Sequence, residues 1–264
     1  MYTFDGRVRY SEVGEDGCLS LQSLLDYFQD CSTFHSEDIG LGLSYMDKIR
    51  QVWLLSAWQI CIARYPKYGE RIVTGTAPYE FRGFMGFRNF LMQTKEGEAL
   101  AWANSIWTLM DREKMRPVKP NEDMLAGYVP EEKYPMAYAP RKIAVPADGQ
   151  PMEAFTVKPH HLDTNHHVNN GQYVRMAMDC IPGGFKIGQL RVEYKSQALL
   201  GDEICPVMAA GADGKLYTVS LNGADGSPYC VVEFTSPAQS TESAILRMAR
   251  AERAERTSFA NGAC

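Results

Sequence analysis

Ile60-Cys61-Ile62-Ala63-Arg64-Tyr65-Pro66-Lys67-Tyr68-Gly69-Glu70-Arg71-Ile72 has an echo in the second half of the chain, Val192-Glu193-Tyr194-Lys195-Ser196-Gln197-Ala198-Leu199-Leu200-Gly201-Asp202-Glu203-Ile204. Each stretch reads as a strand, a kink, and then Gly-acidic-x-Ile opening a second strand. The echo extends upstream. Val8-Arg9-Tyr10 is strand-like and leads through the turn residues Gly14 to Gly17 into a segment where Leu21, Leu24, Leu25 and Phe28 recur at helical spacing. Phe155-Thr156-Val157 is likewise strand-like and precedes a helix through Tyr173 to Cys180. Both helices close on Asp-Cys, at Asp30-Cys31 and Asp179-Cys180. Downstream, Arg88 to Gln93 turns at Glu96-Gly97, and Leu216 to Leu221 turns at Gly223-Ala224-Asp225-Gly226 into Tyr229 to Phe234. Gly and Asp stand where hairpins need them. The chain is therefore expected to be α+β, in two related halves. Each half is an antiparallel sheet wrapped around a long helix.

Seven of the fourteen prolines fall from Pro117 to Pro151, which marks a crossover with short strands at most. Beyond Pro237, Glu242 to Arg256 alternates apolar and charged residues and reads as a solvated helix. A net charge of -5 argues against nucleic acid as a general partner. No apolar run approaches the roughly 20 residues of a membrane span, and the N-terminus lacks the apolar core of a signal peptide. The seven cysteines are odd in number, scattered, and free of any C-x-x-C. They read as reduced thiols in a cytoplasmic protein.

Four of the five histidines lie in His160-His161-Leu162-Asp163-Thr164-Asn165-His166-His167, followed by Val168-Asn169-Asn170-Gly171-Gln172-Tyr173. A carboxylate, a carboxamide and imidazoles here abut a helix start, where Asn caps well. The unpaired N–H groups of a first helical turn suit a developing oxyanion. A metal site is not expected, because adjacent histidines on extended chain point to opposite faces and no partner spacing accompanies them. Asp163 and Asn165 equally suit an Asx turn. His160, His161 and His166 read as surface or supporting residues, and Cys180 as buried and inert.

Asp163-x-Asn165-x-His167-Val168-Asn169-Asn170-x-x-Tyr173 resembles the signature of the acyl-ACP thioesterases, the double-hotdog enzymes of bacteria and plant plastids. Ser105-Ile106-Trp107-Thr108-Leu109-Met110-Asp111, with Arg112, Arg116 and Lys119-Pro120 after it, is similar to a second element of that family. Trp53 ahead of the first long strand also fits. With no transit segment in front, the bacterial type is the nearer likeness. The resemblance implies two tandem hotdog folds: residues 1–116 shaping an acyl pocket, a linker at 117–151, a catalytic half at 152–237 and a tail at 238–264. It implies hydrolysis of fatty acyl-ACP to free fatty acid and holo-ACP. No cofactor is implied beyond the phosphopantetheine that the substrate carries. Asp163, Asn165 and His167 map onto the catalytic residues. Asp163 would activate water or orient a partner, Asn165 would hold the water or carbonyl, and His167 would shuttle protons or polarise the thioester. Backbone N–H groups of Val168, Asn169 and Asn170 would receive the oxyanion.

The chain departs from the family at one place. Gln197 stands where the family usually has Glu, and Ala198 where plant members have Cys. Gln bonds a water but cannot take its proton. Asp163 then leads as base, with Glu193, Gln197 and Tyr173 as auxiliaries. Two other readings remain open: an acyl-CoA thioesterase, and a non-catalytic hotdog that binds acyl thioesters as a sensor. Trp53, Trp58, Met46, Phe84 and Phe87 would set the depth of the acyl pocket. Arg112, Lys114, Arg116 and Lys119 either meet an acidic carrier protein or form a solvated loop. Monomer and homodimer are both compatible with two sheets in one chain.

Overall fold

The computed structural model describes residues 1–163 and 165–237. In chain order its strands are β1 (Tyr2–Arg7), β2 (Gln51–Ile62), β3 (Arg71–Arg82), β4 (Met85–Thr94), β5 (Ala99–Asp111), β6 (Arg116–Pro117), β7 (Gln150–Pro151), β8 (Phe155–Thr156), β9 (Gln189–Tyr194), β10 (Glu203–Ala210), β11 (Leu216–Asn222) and β12 (Pro228–Thr235). The helices are α1 (Leu21–Asp38), α2 (Leu43–Lys48), α3 (Glu122–Gly127) and α4 (Asn170–Met178).

The strand order states the duplication directly. Outward from the centre of the sheet, one half runs β2-β5-β4-β3-β1 and the other β9-β12-β11-β10, with β7 and β8 both pairing to β10. The halves are two tandem hotdogs joined edge to edge where β2 pairs antiparallel with β9, from Ala57 opposite Glu193 to Cys61 opposite Gln189. The expected separate sheets are thus one continuous sheet. Joining them removes two open edges, which would otherwise expose unpaired backbone groups.

Each half lays its helix on one face of this sheet. Ser20 caps α1, its hydroxyl accepting from the Ser23 N–H at 3.1 Å. Leu21, Leu24, Leu25, Phe28 and Cys31 then bury one stripe. The helix stops where Gly40 takes a φ of 76°, a left-handed position that glycine fills without strain. Asn169 caps α4, which buries Tyr173, Val174, Met176 and Ala177. This second helix has nine residues against eighteen in α1. It begins at Asn170, with Asn169 as its cap, where the sequence places the helix start.

Three local expectations change. The first long helix does not close on Asp30-Cys31: α1 runs on to Asp38, because the pair lies in mid-helix with Cys31 buried against the sheet and Gly40 supplies the stop. Val8-Arg9-Tyr10 is not a strand: β1 lies earlier, paired with β3 from Tyr2–Thr76 to Arg7–Arg71, and Tyr10–Glu12 is a 3-10 turn. The crossover is more than a linker. It contains α3, capped by Asn121, and then straps the back of the sheet, opposite the helices. Asn89 Oδ1 accepts from the Tyr134 N–H and the Tyr138 hydroxyl. The Gln59 amide bonds Ala137 O and Ala139 N. Arg191 donates to Pro140 O and Lys142 O, and Glu193 accepts from the Ile143 N–H. These polar side chains are thus paired although buried, as their desolvation requires. The helix expected at Glu242 to Arg256 lies outside the described residues.

Candidate active site

Asp163 organises the histidine segment. Its Oδ1 accepts from the Asn165 N–H at 2.8 Å and the His167 N–H at 3.2 Å. Backbone bonds from Asp163 N to His167 O and from His166 N to Asp163 O close the turn. His166 sits at its apex with a φ of 62°, strained for a residue with a side chain. The turn is therefore the Asx structure that the residue types suggest, and it fixes where the next side chain goes. His167 is half-buried, and its Nδ1 is buried with no hydrogen-bond partner among the described residues. Asn165 and His166 are exposed, as is His160. His161 turns inward on its own segment, its Nδ1 accepting from the Lys158 N–H at 3.0 Å. Burial, then the neighbours His160, Lys158 and Arg175, push its pKa down.

The three N–H groups expected to form an oxyanion site do not share one fate. Val168 N donates to Ala198 O at 3.1 Å and Asn169 N to His161 O at 2.9 Å. Both are spent in backbone pairing and cannot also receive an oxyanion. The Asn170 N–H has no bond among the described residues. Asn169 Oδ1 takes the next donor, Gly171 N, at 2.9 Å.

A residue the sequence reading passed over stands at this turn. A Cβ on Gly171 would lie 2.3 Å from Gln22 Nε2, so the glycine makes room for a side chain from α1. Gln22 Nε2 donates to Asp26 at 2.9 Å, while its Oε1 is buried and unpartnered. Two orphaned polar atoms, on Gln22 and His167, thus flank the start of α4. The signal available in the sequence was Gly171, a glycine in the first turn of a helix where a better helix former is usual.

The auxiliaries separate. Tyr173 is a positioning residue: its buried hydroxyl accepts from the Ala198 N–H at 2.8 Å. Tyr194 donates to Asn170 O at 2.9 Å. Together with the Val168–Ala198 bond, these stitch the loop that carries Gln197 to the histidine segment. Gln197 itself is exposed on that loop. Glu193 leaves the candidate set. It points to the strapped face of the sheet, 3.1 Å from Ile143 N and 3.4 Å from Lys195 Nζ, while Leu190 and Val192 face the helix-side core. The alternation of a strand puts it on the wrong side. Cys180 is buried, its thiol pushed up to about 11 by that burial.

The first half holds an apolar cleft between α1, α2 and the sheet, with about 810 Å³ of empty space including its open side. Leu41, Met46, Val52, Phe81, Phe87 and Trp107 line it, with Trp53 and the buried Arg88. Of the residues expected to set its depth, Trp53, Met46 and Phe87 are on its wall. Trp58 is core, against Phe28 and Phe90, and Phe84 is exposed. Arg112, on the cleft's edge, pairs with Asp47 at 2.9 Å; Lys114 lies 3.6 Å from Asp111; Arg116 and Lys119 are exposed. Among the described residues no group of three His, Cys, Asp or Glu side chains is placed to hold a metal ion.

Fold and site together define a double-hotdog protein whose candidate chemistry sits in the turn that leads into α4. Residues 1–128 match the acyl-ACP thioesterase N-terminal domain and residues 146–228 the acyl-ACP thioesterase C-terminal domain, and the chain belongs to that family. An acyl-ACP thioesterase from Bacteroides thetaiotaomicron has a similar structure, with a TM-score of 0.82 at 22% identity over 88% of this chain and 96% of that one. A 12:0-ACP thioesterase from Umbellularia californica gives 0.77 at 19% identity, over 89% and 97%. At these identities the likeness is one of fold. A chloroplastic acyl-[acyl-carrier-protein] hydrolase of Cuphea viscosissima is 26% identical over 66% of this chain and 45% of its own. The chain spans about half the length of the curated relatives it matches.

Proposed function

We propose that this chain hydrolyses the thioester of fatty acyl-ACP, releasing free fatty acid and holo-ACP and so ending or diverting acyl elongation. The observation that carries the reading is the Asp163–His167 turn, locked by its own carboxylate against the first turn of α4. Asp163 Oδ1 is committed to the turn, and Oδ2, which makes no bond among the described residues, is the base for water. His167 polarises the thioester or returns the proton, and Asn165 holds the water. The Asn170 N–H, at a helix start, receives the developing oxyanion. Gln22 Oε1 accepts from that water or from an amide N–H of the phosphopantetheine arm. This chemistry calls for no cofactor besides the arm.

The division of labour follows the halves: residues 1–116 give the acyl cleft, 152–237 the reacting groups, and 117–151 the strap. An acidic carrier protein is the partner, with Arg116 and Lys119 as exposed cations near the cleft. Among the described residues no helix is long and apolar enough to cross a membrane. The six of the seven cysteines that lie among them are free thiols, which supports a cytoplasmic setting.

The test is free fatty acid released from acyl-ACPs of graded chain length, with the same acyl chains on CoA run beside them. Asp163→Asn keeps an oxygen for the Asn165 and His167 N–H groups and removes only the base. It is expected to fold as the native chain does and to lose about 10²–10⁴ in turnover, as is His167→Ala. Gln197→Glu is expected to raise turnover. An active Asp163→Asn would remove Asp163 as base. Tight acyl-ACP binding with no turnover would leave the sensor, and faster turnover on CoA would change the carrier.

A further inference from the structure

Arg88 is a buried cation with no anion. It stands on the helix-facing side of β4, 7% exposed. Nη1 bonds His35 Nδ1 at 3.0 Å and Thr76 Oγ1 at 3.1 Å, and the guanidinium lies over the Tyr128 ring at 5.6 Å. Every one of these partners is neutral, and burial with the adjacent cation pushes His35 down to about 4. No carboxylate pairs with Arg88 among the described residues. Arg191, also largely buried, shows the usual arrangement, with Glu233 at 2.7 Å. A largely buried guanidinium without a counter-charge is costly, and Arg88 Nε and Nη2 make no hydrogen bond among the described residues. The same residue lines the apolar cleft, where a second donor, Trp53 Nε1, is buried and unpartnered. The cleft therefore offers an apolar wall of aliphatic and aromatic side chains and, at Arg88, unused N–H groups bearing positive charge.

We infer that this cleft is a site for an aliphatic chain ending in a carboxylate, which Arg88 receives through its unused N–H groups. Such a group has two sources. One is a free fatty acid, which is the product under the proposed hydrolysis. The other is an acyl thioester whose far end carries a carboxylate. The second source rests on the hydrolase reading; the first needs only binding. Along α1, Ser32 and Ser36 at the cleft lie about 15 and 21 Å from Gln22 at the start of α4, at 1.5 Å per residue. One chain of ordinary fatty-acyl length can span that distance. A methyl-ended chain lying along it would bring its apolar end to a bare cation, so the cleft selects by chemistry at the chain end as well as by length.

The test uses the full chain and the fluorescence of Trp53 and Trp107 on the cleft wall. Dodecanoate and hexadecanoate are titrated against the matching alcohols, into the native chain and Arg88→Met. The acids are expected to bind at least about tenfold tighter than the alcohols, the size of one hydrogen bond to a charged group, and Arg88→Met is expected to abolish the difference. Equal affinities of acid and alcohol for the native chain overturn the inference, even if Arg88→Met does not fold. So does a difference that survives in a folded Arg88→Met. A second arm compares turnover of dodecanoyl-ACP with that of its ω-carboxy counterpart. Faster turnover of the ω-carboxy chain identifies a substrate, whereas inhibition by dodecanoate that needs Arg88 identifies the free acid. If no acyl-ACP turns over yet the acids still bind through Arg88, the hydrolase reading fails and the site stands.

Discussion

Tyr173→Phe isolates a single hydrogen bond that holds the candidate site together. The ring stays, including its edge contact with Tyr194 at 6.1 Å, and only the hydroxyl goes. That hydroxyl is the acceptor for the Ala198 N–H at 2.8 Å, and both residues are essentially buried, at 2% and 0% exposed. The variant strands a backbone donor away from water, which costs about 1–3 kcal/mol. For a chain of this size each kcal/mol moves the thermal midpoint by about 2–4 °C, so a fall of about 2–12 °C is expected by calorimetry. Ala198 also supplies the carbonyl that receives Val168 N, so fatty acid release should fall as well, with the acyl-chain preference unchanged. Tyr194→Phe is the control. It removes a donor from the Asn170 carbonyl, and losing an ordinary hydrogen bond costs about 0.5–1.5 kcal/mol. A midpoint for Tyr173→Phe within a degree of the native chain, or one lowered less than in Tyr194→Phe, would refute the reasoning.

Gly171→Ala puts a methyl where Gln22 Nε2 stands; the fold should hold, since the displaced atoms end a flexible side chain, while turnover drops as in Gln22→Ala. Retained turnover in both variants removes Gln22 from the site. Asn169→Ala takes the cap from α4 and should cost about 1 kcal/mol, read by urea unfolding. His35 titrates ordinarily near 6.5 and is held down at about 4 by burial and by Arg88, against the opposing pull of Glu131 and Asp38. The unfolded chain therefore takes up this proton first, so the stability His35 contributes is complete above pH 6.5 and is lost as pH falls toward 4. His35→Gln keeps an acceptor for Arg88, and its stability should fall less than the native chain's across that window; parallel curves would show that His35 does not drive the loss.

The duplication was legible because the repeated strand–kink–strand passages are local patterns; the matching Asp-Cys pairs misled, since Asp30-Cys31 lies in the middle of α1 and only Asp179-Cys180 closes a helix. The junction of β2 with β9 was not, since a strand's sequence does not say which edge it will meet. Asp163 and Asn169 announced a turn and a cap through their side-chain chemistry, and both are there. Which N–H groups remain free was illegible, because Val168 is claimed by Ala198 and Asn169 by His161, partners decided by tertiary packing. Glu193 looked available as a neighbour in sequence; one step of strand alternation carries it through the sheet to the strap. Arg88 and Gln22 were passed over for the same reason in reverse, since nothing adjacent in sequence shows that one lacks an anion and the other reaches α4.

Gln22 and Gly171 are each the second residue of a capped helix, after Ser20 and Asn169, so the contact between them falls at the pseudo-dyad. In a dimer of identical subunits that place would set a residue against its own copy: two carboxamides crowding one gap, or two glycines leaving it bare. A continuous chain escapes the constraint, because the two rows are free to mutate apart. Inequality at the axis is what lets one helix lend an acceptor to the other. Neither half, excised and paired with itself, can rebuild that contact.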